Sequence, residues 1–318
     1  MTRLLILVLG MVAALQVAAQ EWPAKPVKFI VPAPPGMAPD IITRLMTDKL
    51  VALWGKQIIV ENRPGAGGIP AMSAFVRSAP DGYTFALPMA TVVTLTPHLF
   101  KNPQYNLDTE VTPVATIATA PMMIAVNPNL GVDNLADLVK LAKSQPGKLN
   151  FAPPILNSVP HFAGEMLSAA AGIKLYPVAY SGSVGSVTAT MNGESHVTID
   201  GLPALVQFVK AGKLKAIAVT SPRRLPGYEQ VPTVGETYPG VLAIGWFNLL
   251  AVANTPPAII ERVNRDVNTV LQMPEIVARF ADLGVYPTPG SVKDAADFMR
   301  AERELWAKVV RDIGVKAQ

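Results

Sequence analysis

Two stretches of this chain carry residue types and spacings suited to holding an anion. Pro34-Pro35-Gly36-Met37-Ala38-Pro39-Asp40 joins a predicted strand to a predicted helix, and Pro39 is well placed to open that helix. Ile155-Leu156-Asn157-Ser158-Val159-Pro160-His161 makes the same kind of junction later, with Ser158 as the capping residue and Pro160 and His161 in the first turn. The first turn of a helix leaves N–H groups without intrahelical partners and carries a partial positive charge, so each junction offers an anion site. Two such loops facing each other across a cleft would hold a carboxylate from both sides. Hydrogen bonds to a charged group contribute about 1.5–3 kcal/mol each. Three or four supply much of the roughly 8 kcal/mol that micromolar binding requires. Capping alone accounts equally well for Ser158 and Asp40 taken singly.

Patterns for other chemistry fail on spacing. The three histidines, His98, His161 and His196, are far apart and make no metal-ligand motif. Gly182-Ser183-Val184-Gly185 lacks the spacing of a nucleophile elbow. Gly147-Lys148-Leu149 and Gly212-Lys213-Leu214 lack the hydroxyl residue of a phosphate loop, and Gly65-Ala66-Gly67-Gly68 lacks the later glycine of a dinucleotide fingerprint. Glu194, Ser195 and His196 are adjacent on a predicted strand, so their side chains alternate faces instead of converging. With no cysteine, thiolate metal sites, disulfides and thiol nucleophiles are excluded. No catalytic residue, metal or cofactor is expected. The longest basic run is Arg223-Arg224 and no basic stripe interleaves with aromatics, which argues against nucleic acid. The net charge of +4 suits a mildly basic surface that helps an anionic ligand arrive.

The elements that must position those loops follow from 318 residues that are 50% hydrophobic and only 16% charged, a composition that excludes a disordered chain. Residues 1–19 combine Arg3, an apolar run from Leu4 to Leu15 and Val17-Ala18-Ala19, the pattern of a cleaved export signal with its cut after Ala19. The apolar run is shorter than the roughly 20 residues of a spanning helix. The expectation is a protein released into a Gram-negative periplasm. Thereafter short apolar strands alternate with amphipathic segments, the signature of α/β units. Strands are predicted at 27–31, 57–60, 83–88, 122–126, 148–152, 175–179, 197–199 and 214–219, and helices at 158–172, 183–192 and 202–211. The last quarter reads as helices over 256–271, 274–283 and 291–313, the final one opened by Ser291 three residues before Asp294.

A set of motifs spans the chain. Trp22-Pro23, Lys25-Pro26 and Val31-Pro32 lead into Pro35-Gly36 and Asp40. Glu61-Asn62-Arg63-Pro64-Gly65-Ala66-Gly67-Gly68 and Pro80-Asp81-Gly82-Tyr83-Thr84 follow, then Pro146-Gly147-Lys148-Leu149, Ala211-Gly212-Lys213-Leu214, Val231-Pro232-Thr233 with Glu236, and Thr255-Pro256. Together they resemble the Bug family of solute-binding proteins, the periplasmic receptors of tripartite tricarboxylate transporters. The resemblance implies an α/β, two-domain clamshell of the periplasmic-binding type (type II-like), closing on a small carboxylate. It implies crossings near residues 120 and 240, with 20–120 and 241–318 forming the first domain and 121–240 the second. It places Ala33, Pro34, Gly36, Met37, Ala38 and Asp40 on one side of the cleft with Gly65, and Pro154, Leu156, Asn157, Ser158 and His161 on the other. Tyr180 and Gly182 match a tyrosine-containing loop, and Asp200 an acidic cleft position that orients water or accepts a ligand donor. For Tyr180, packing is an equal alternative.

The departures from that family concern the ligand. Ala33 replaces a usual aromatic and Met37 a usual glycine, while Pro153-Pro154-Ile155-Leu156-Asn157 replaces a glycine-rich loop. Proline removes N–H donors, and of these residues Asn157 best tolerates a left-handed backbone. The expected loop is stiffer and more apolar, and the expected ligand is an aromatic or medium-chain carboxylate with more apolar surface than citrate. The partners implied are the transporter's membrane subunits or the periplasmic domain of a sensor kinase, with the receptor itself a monomer. An orphan receptor with a degenerate second loop is the remaining alternative.

Overall fold

The structure, a computed structural model, describes residues 22–314. The export segment expected at 1–19, with its cut after Ala19, lies outside the described residues. No helix among the described residues is long and apolar enough to cross a membrane.

Val27–Val31 (β1) is followed by Ala38–Trp54 (α1), Ile58–Asn62 (β2), Ile69–Val76 (α2) and Thr84–Ala86 (β3). The short helices Ala90–Thr94 (α3) and Thr96–Leu99 (α4) precede Val111–Val126 (β4). Next come Leu135–Ser144 (α5), Asn150–Ala152 (β5), Val159–Ala171 (α6), Tyr176–Pro177 (β6), Ser183–Asn192 (α7), Val197–Gly201 (β7), Leu202–Lys210 (α8) and Lys215–Val219 (β8). The chain ends its described part with Ile244–Val252 (β9), Pro257–Leu271 (α9), Pro274–Asp282 (α10), Tyr286–Pro287 (β10) and Val292–Ile313 (α11).

One strand organises both halves of this mixed α/β fold. Through Val111–Pro121, β4 pairs antiparallel with β9, and Ala118 and Thr119 also pair with β10. From Met122 to Val126 the same strand lies between β7 and β8, again antiparallel. The first half belongs to a sheet with β1, β2 and β3, where β1 pairs in parallel with both neighbours. The second belongs to a sheet with β5 and β6, which join β7 in parallel. Pro121 forms the last pair with β9, and Met122 the first with β7. A proline that cannot donate to a ladder is tolerated where a strand changes partners, and Pro113 sits beside a register shift for the same reason. Those prolines and the interspersed threonines break the alternation that marks a strand. Sequence periodicity therefore exposes only 122–126 of a 16-residue strand.

Packing follows the apolar faces. Ile42, Met46 and Leu50 of α1 recur every fourth residue or so and, with Val263 and Val267 of α9, cover one face of the first sheet. The opposite face carries Met299, Trp306, Val309 and Val310 of α11. The capping box expected at Ser291 and Asp294 is formed: each backbone N–H donates to the other residue's side chain, at 2.9 and 3.1 Å. Trp306 also meets Phe162 of α6 edge to face at 6.2 Å, so α11 packs on the first sheet and reaches a helix of the second.

Candidate functional site

The β1–α1 loop is held in shape by Asp40. Its Oδ2 accepts the Gly36 N–H at 2.9 Å, and its Oδ1 accepts from Arg44 Nε at 2.9 Å and Asn62 Nδ2 at 3.0 Å. Asn62 Nδ2 also donates to the Ala33 carbonyl at 3.0 Å, tying the loop to β2. Burial opposes the charge on Asp40, but the Arg44 guanidinium, the Gly36 N–H and the Asn62 amide outweigh it and hold the carboxyl below its ordinary range. The carboxylate thus faces its own loop and does not line the cavity described below. Asp40→Ala strands these donors, so a stability loss of about 1–3 kcal/mol is expected. A urea midpoint equal to the wild type's would show that the brace contributes nothing.

The β5–α6 loop is closed by a different set of bonds. Asn157 adopts the left-handed conformation, φ 60°, which the sequence assigns to asparagine there as tolerable. Its N–H donates to His161 Nδ1 at 3.2 Å, and burial lowers the His161 pKa, so the ring is the neutral acceptor. Ser158 occupies the N-cap position, but its hydroxyl makes no bond to the helix; it donates to the Ile155 carbonyl at 2.6 Å. The Gly182 N–H, at φ 120° where only glycine is at ease, donates to the Pro154 carbonyl at 2.8 Å and fastens this loop to the start of α7.

These loops open onto a cavity of about 510 Å³ between the two sheets. It lies beyond the carboxyl ends of β1, β5 and β7, where ligands of open α/β sheets bind. Four helices of nine residues or more point their N-termini at it: Ala38 and Pro39 of α1, Val159 and Pro160 of α6, Ser183 and Val184 of α7, and Pro203 and Ala204 of α8 all line it. Each terminus contributes roughly half a positive charge in partial dipoles. No lysine, arginine or histidine among the described residues lines the cavity, and its only titratable lining residue is Asp200.

Asp200 is the penultimate residue of β7, buried with 7% of the residue exposed. Oδ1 accepts the Gly201 N–H at 2.7 Å, while Oδ2 has no partner. Burial pushes the carboxyl up to about 6, an effect offset only in part by the Ser183 hydroxyl, which closes no hydrogen bond to Oδ2, and by the Gly201 N–H.

Of the residues expected at the site, Pro34, Gly36, Met37, Ala38, Pro154, Ser158, Gly182 and Asp200 line the cavity. Ala33, Asp40, Gly65, Leu156, Asn157, His161 and Tyr180 do not. Ala33 is buried behind the first loop, and Asn157 and His161 brace the second from outside. Leu156 faces solvent, and Gly65 lies in an exposed turn. Tyr180 packs beside Gly185 of α7. The wall is built largely from residues that motif reasoning passes over: Met89, Met122, Trp246, Phe247, Leu283 and Val285. One signal for it was present. A glycine within a strand marks close approach of other groups, and a Cβ at Gly245 would stand 2.7 Å from Met122 Cε and 3.0 Å from the Ala120 carbonyl.

A family profile described as tripartite tricarboxylate transporter family receptor, TctC, matches residues 42–315. The chain belongs to the TctC family. This TctC receptor is 33% identical to Protein BugT of Bordetella pertussis, with 99% of each chain covered. Among solved structures it is similar to R. palustris Rpa4515 with adipate, at 29% identity and TM-score 0.86 over 94% of this chain and 100% of that one. It is also similar to MatC from Rhodopseudomonas palustris with bound malate, at 26% identity and TM-score 0.80 over 91% and 100%. The family is one of solute-binding receptors, not enzymes, and its fold is the two-domain periplasmic-binding architecture. The TctC resemblance read from the sequence motifs and the fold class it implied both hold.

Proposed function

We propose that this receptor captures a carboxylate with an apolar body, aromatic or medium-chain, and delivers it to the membrane subunits of a tripartite transporter. The observation that carries the reading is a cavity with four helix N-termini, no basic side chain among the described residues and walls of Met89, Met122, Trp246, Phe247, Leu283 and Val285. Oriented N–H groups stabilise a carboxylate without a cation, and the apolar walls favour a ligand whose remaining surface is hydrocarbon. A volume of about 510 Å³ falls within the range of small-molecule sites. Adipate and malate in the two similar structures are carboxylates, and the longer and more apolar of them sits in the more similar protein. Residues 20–120 with 241–318 form one lobe and 121–240 the other, closing on the ligand after export and removal of residues 1–19.

A thermal-shift panel of citrate, malate, adipate, hexanoate and benzoate tests this. A ligand at 100 times its Kd stabilises the native state by about 2.7 kcal/mol. Adipate, hexanoate or benzoate is expected to give the largest shift. Tight binding of citrate with silence from all three would refute the apolar-ligand reading.

A further inference from the structure

The cavity proposed to take a carboxylate holds one titratable group, and that group is itself an acid. Asp200 lines the cavity and is more than nine-tenths buried, with Oδ2 enclosed and without a hydrogen-bond partner. No cationic side chain among the described residues lines the cavity to separate its charge from that of an arriving anion. Two carboxylates in one water-poor space do not both remain ionised; a pair of acids in such a site keeps a proton between them. We propose that a carboxylate entering this cavity binds together with one proton, held between Asp200 Oδ2 and a carboxyl oxygen of the ligand.

This inference rests on the carboxylate reading of the cavity and adds the state in which the ligand is held. Among the described residues, no other titratable group lines the cavity to supply or take up the proton. Of the elements packed on β7, β4 brings Met122 and Met123, β5 brings Phe151 and Ala152, α7 brings Ser183, and α8 brings Pro203 and Ala204. The titratable pair of α6, His161 and Glu165, stands 3.7 Å apart and outside the cavity lining, and Lys210 lies in the last turn of α8, away from the N-terminus that meets the cavity. Burial of Asp200 already raises its proton affinity before any ligand arrives, and no charged neighbour among the described residues adds to or opposes the effect. The Ser183 hydroxyl and the N-termini of α7 and α8 can then hold the ligand's second oxygen.

The test is isothermal titration calorimetry of hexanoate, benzoate and adipate, in pairs of buffers with different ionisation enthalpies. The free acids carry no proton above about pH 6, so any proton counted is bound by the complex. The expected result is uptake approaching one proton per ligand near pH 7.5. Kd should weaken about tenfold per pH unit between about pH 6 and about pH 8, as linkage requires for one proton. Asp200→Asn carries a permanent N–H donor in place of the shared proton. It should bind with no proton uptake and no pH dependence, and at least as tightly as wild type at pH 8. Binding by the wild type without proton uptake would overturn the inference while leaving the carboxylate reading intact. So would a loss of affinity in Asp200→Asn at pH 8, since a complex built on a shared proton accepts a permanent donor at that position at least as well as the wild type does. Failure of hexanoate, benzoate and adipate alike to bind at any pH would overturn both readings.

Discussion

Trp246→Ala is expected to cost about 3–5 kcal/mol of stability and to abolish most ligand binding. The indole is 1% exposed and serves two environments. It forms cavity wall, and its Nε1 donates at 2.8 Å to Glu302 of α11, which also accepts from Trp306 Nε1 at 3.3 Å. Burial raises the Glu302 pKa, and the two indole N–H groups offset part of that rise. Removing Trp246 leaves the carboxyl with only the longer of its two bonds and strips the edge-to-face partner, at 5.4 Å, from Phe298. Trp246→Phe separates the contributions, because it keeps most of the ring and loses the N–H. It is expected to lose about 1–3 kcal/mol, the penalty for leaving a buried acceptor short of a partner. Urea midpoints for the two variants, with titrations of a bound carboxylate, check this. An alanine variant with wild-type midpoint and affinity would show that Trp246 is neither wall nor anchor.

The sequence makes the loops legible because loops are punctuated. Proline at the start of a helix, serine before it and asparagine at a left-handed position each have a local backbone reason. Pro39, Ser158 and Asn157 occupy those conformations. What a local rule does not reveal is where a side chain turns. Asp40 reads as a residue that faces a ligand, yet Arg44 and Asn62, one helical turn and one strand away, draw its carboxylate inward. Ser158 takes the cap position, yet its hydroxyl bonds the Ile155 carbonyl within the loop. The cavity wall was hidden for a different reason. Trp246 and Phe247 lie on β9, buried on both faces, where an apolar run has no alternation to assign either residue to a side. Only the pairing of β9 with β4, which brings Gly245 opposite Ala120, makes that run a wall between two sheets.

Asp200 should also mark the stability of the empty protein. Its carboxyl is raised from 3.8 to about 6 in the fold, a difference equivalent to about 3 kcal/mol between its two protonation states. A carboxyl that binds its proton more tightly when folded contributes stability that is complete below the unfolded pKa near 4 and is lost as pH rises through about 6. Carboxyls held low, such as Asp40, act in the opposite sense: they favour the fold as pH rises and lose their contribution in acid. The signature of Asp200 is therefore read as the difference between wild type and Asp200→Asn in urea unfolding, measured from about pH 4 to about pH 8. The wild type should lose up to about 3 kcal/mol relative to the variant across that window. Parallel profiles would mean that Asp200 ionises freely in the fold. Saturating hexanoate should then move the wild type's loss to higher pH, because an anion that arrives with a proton keeps Asp200 neutral where the empty cavity would let it ionise.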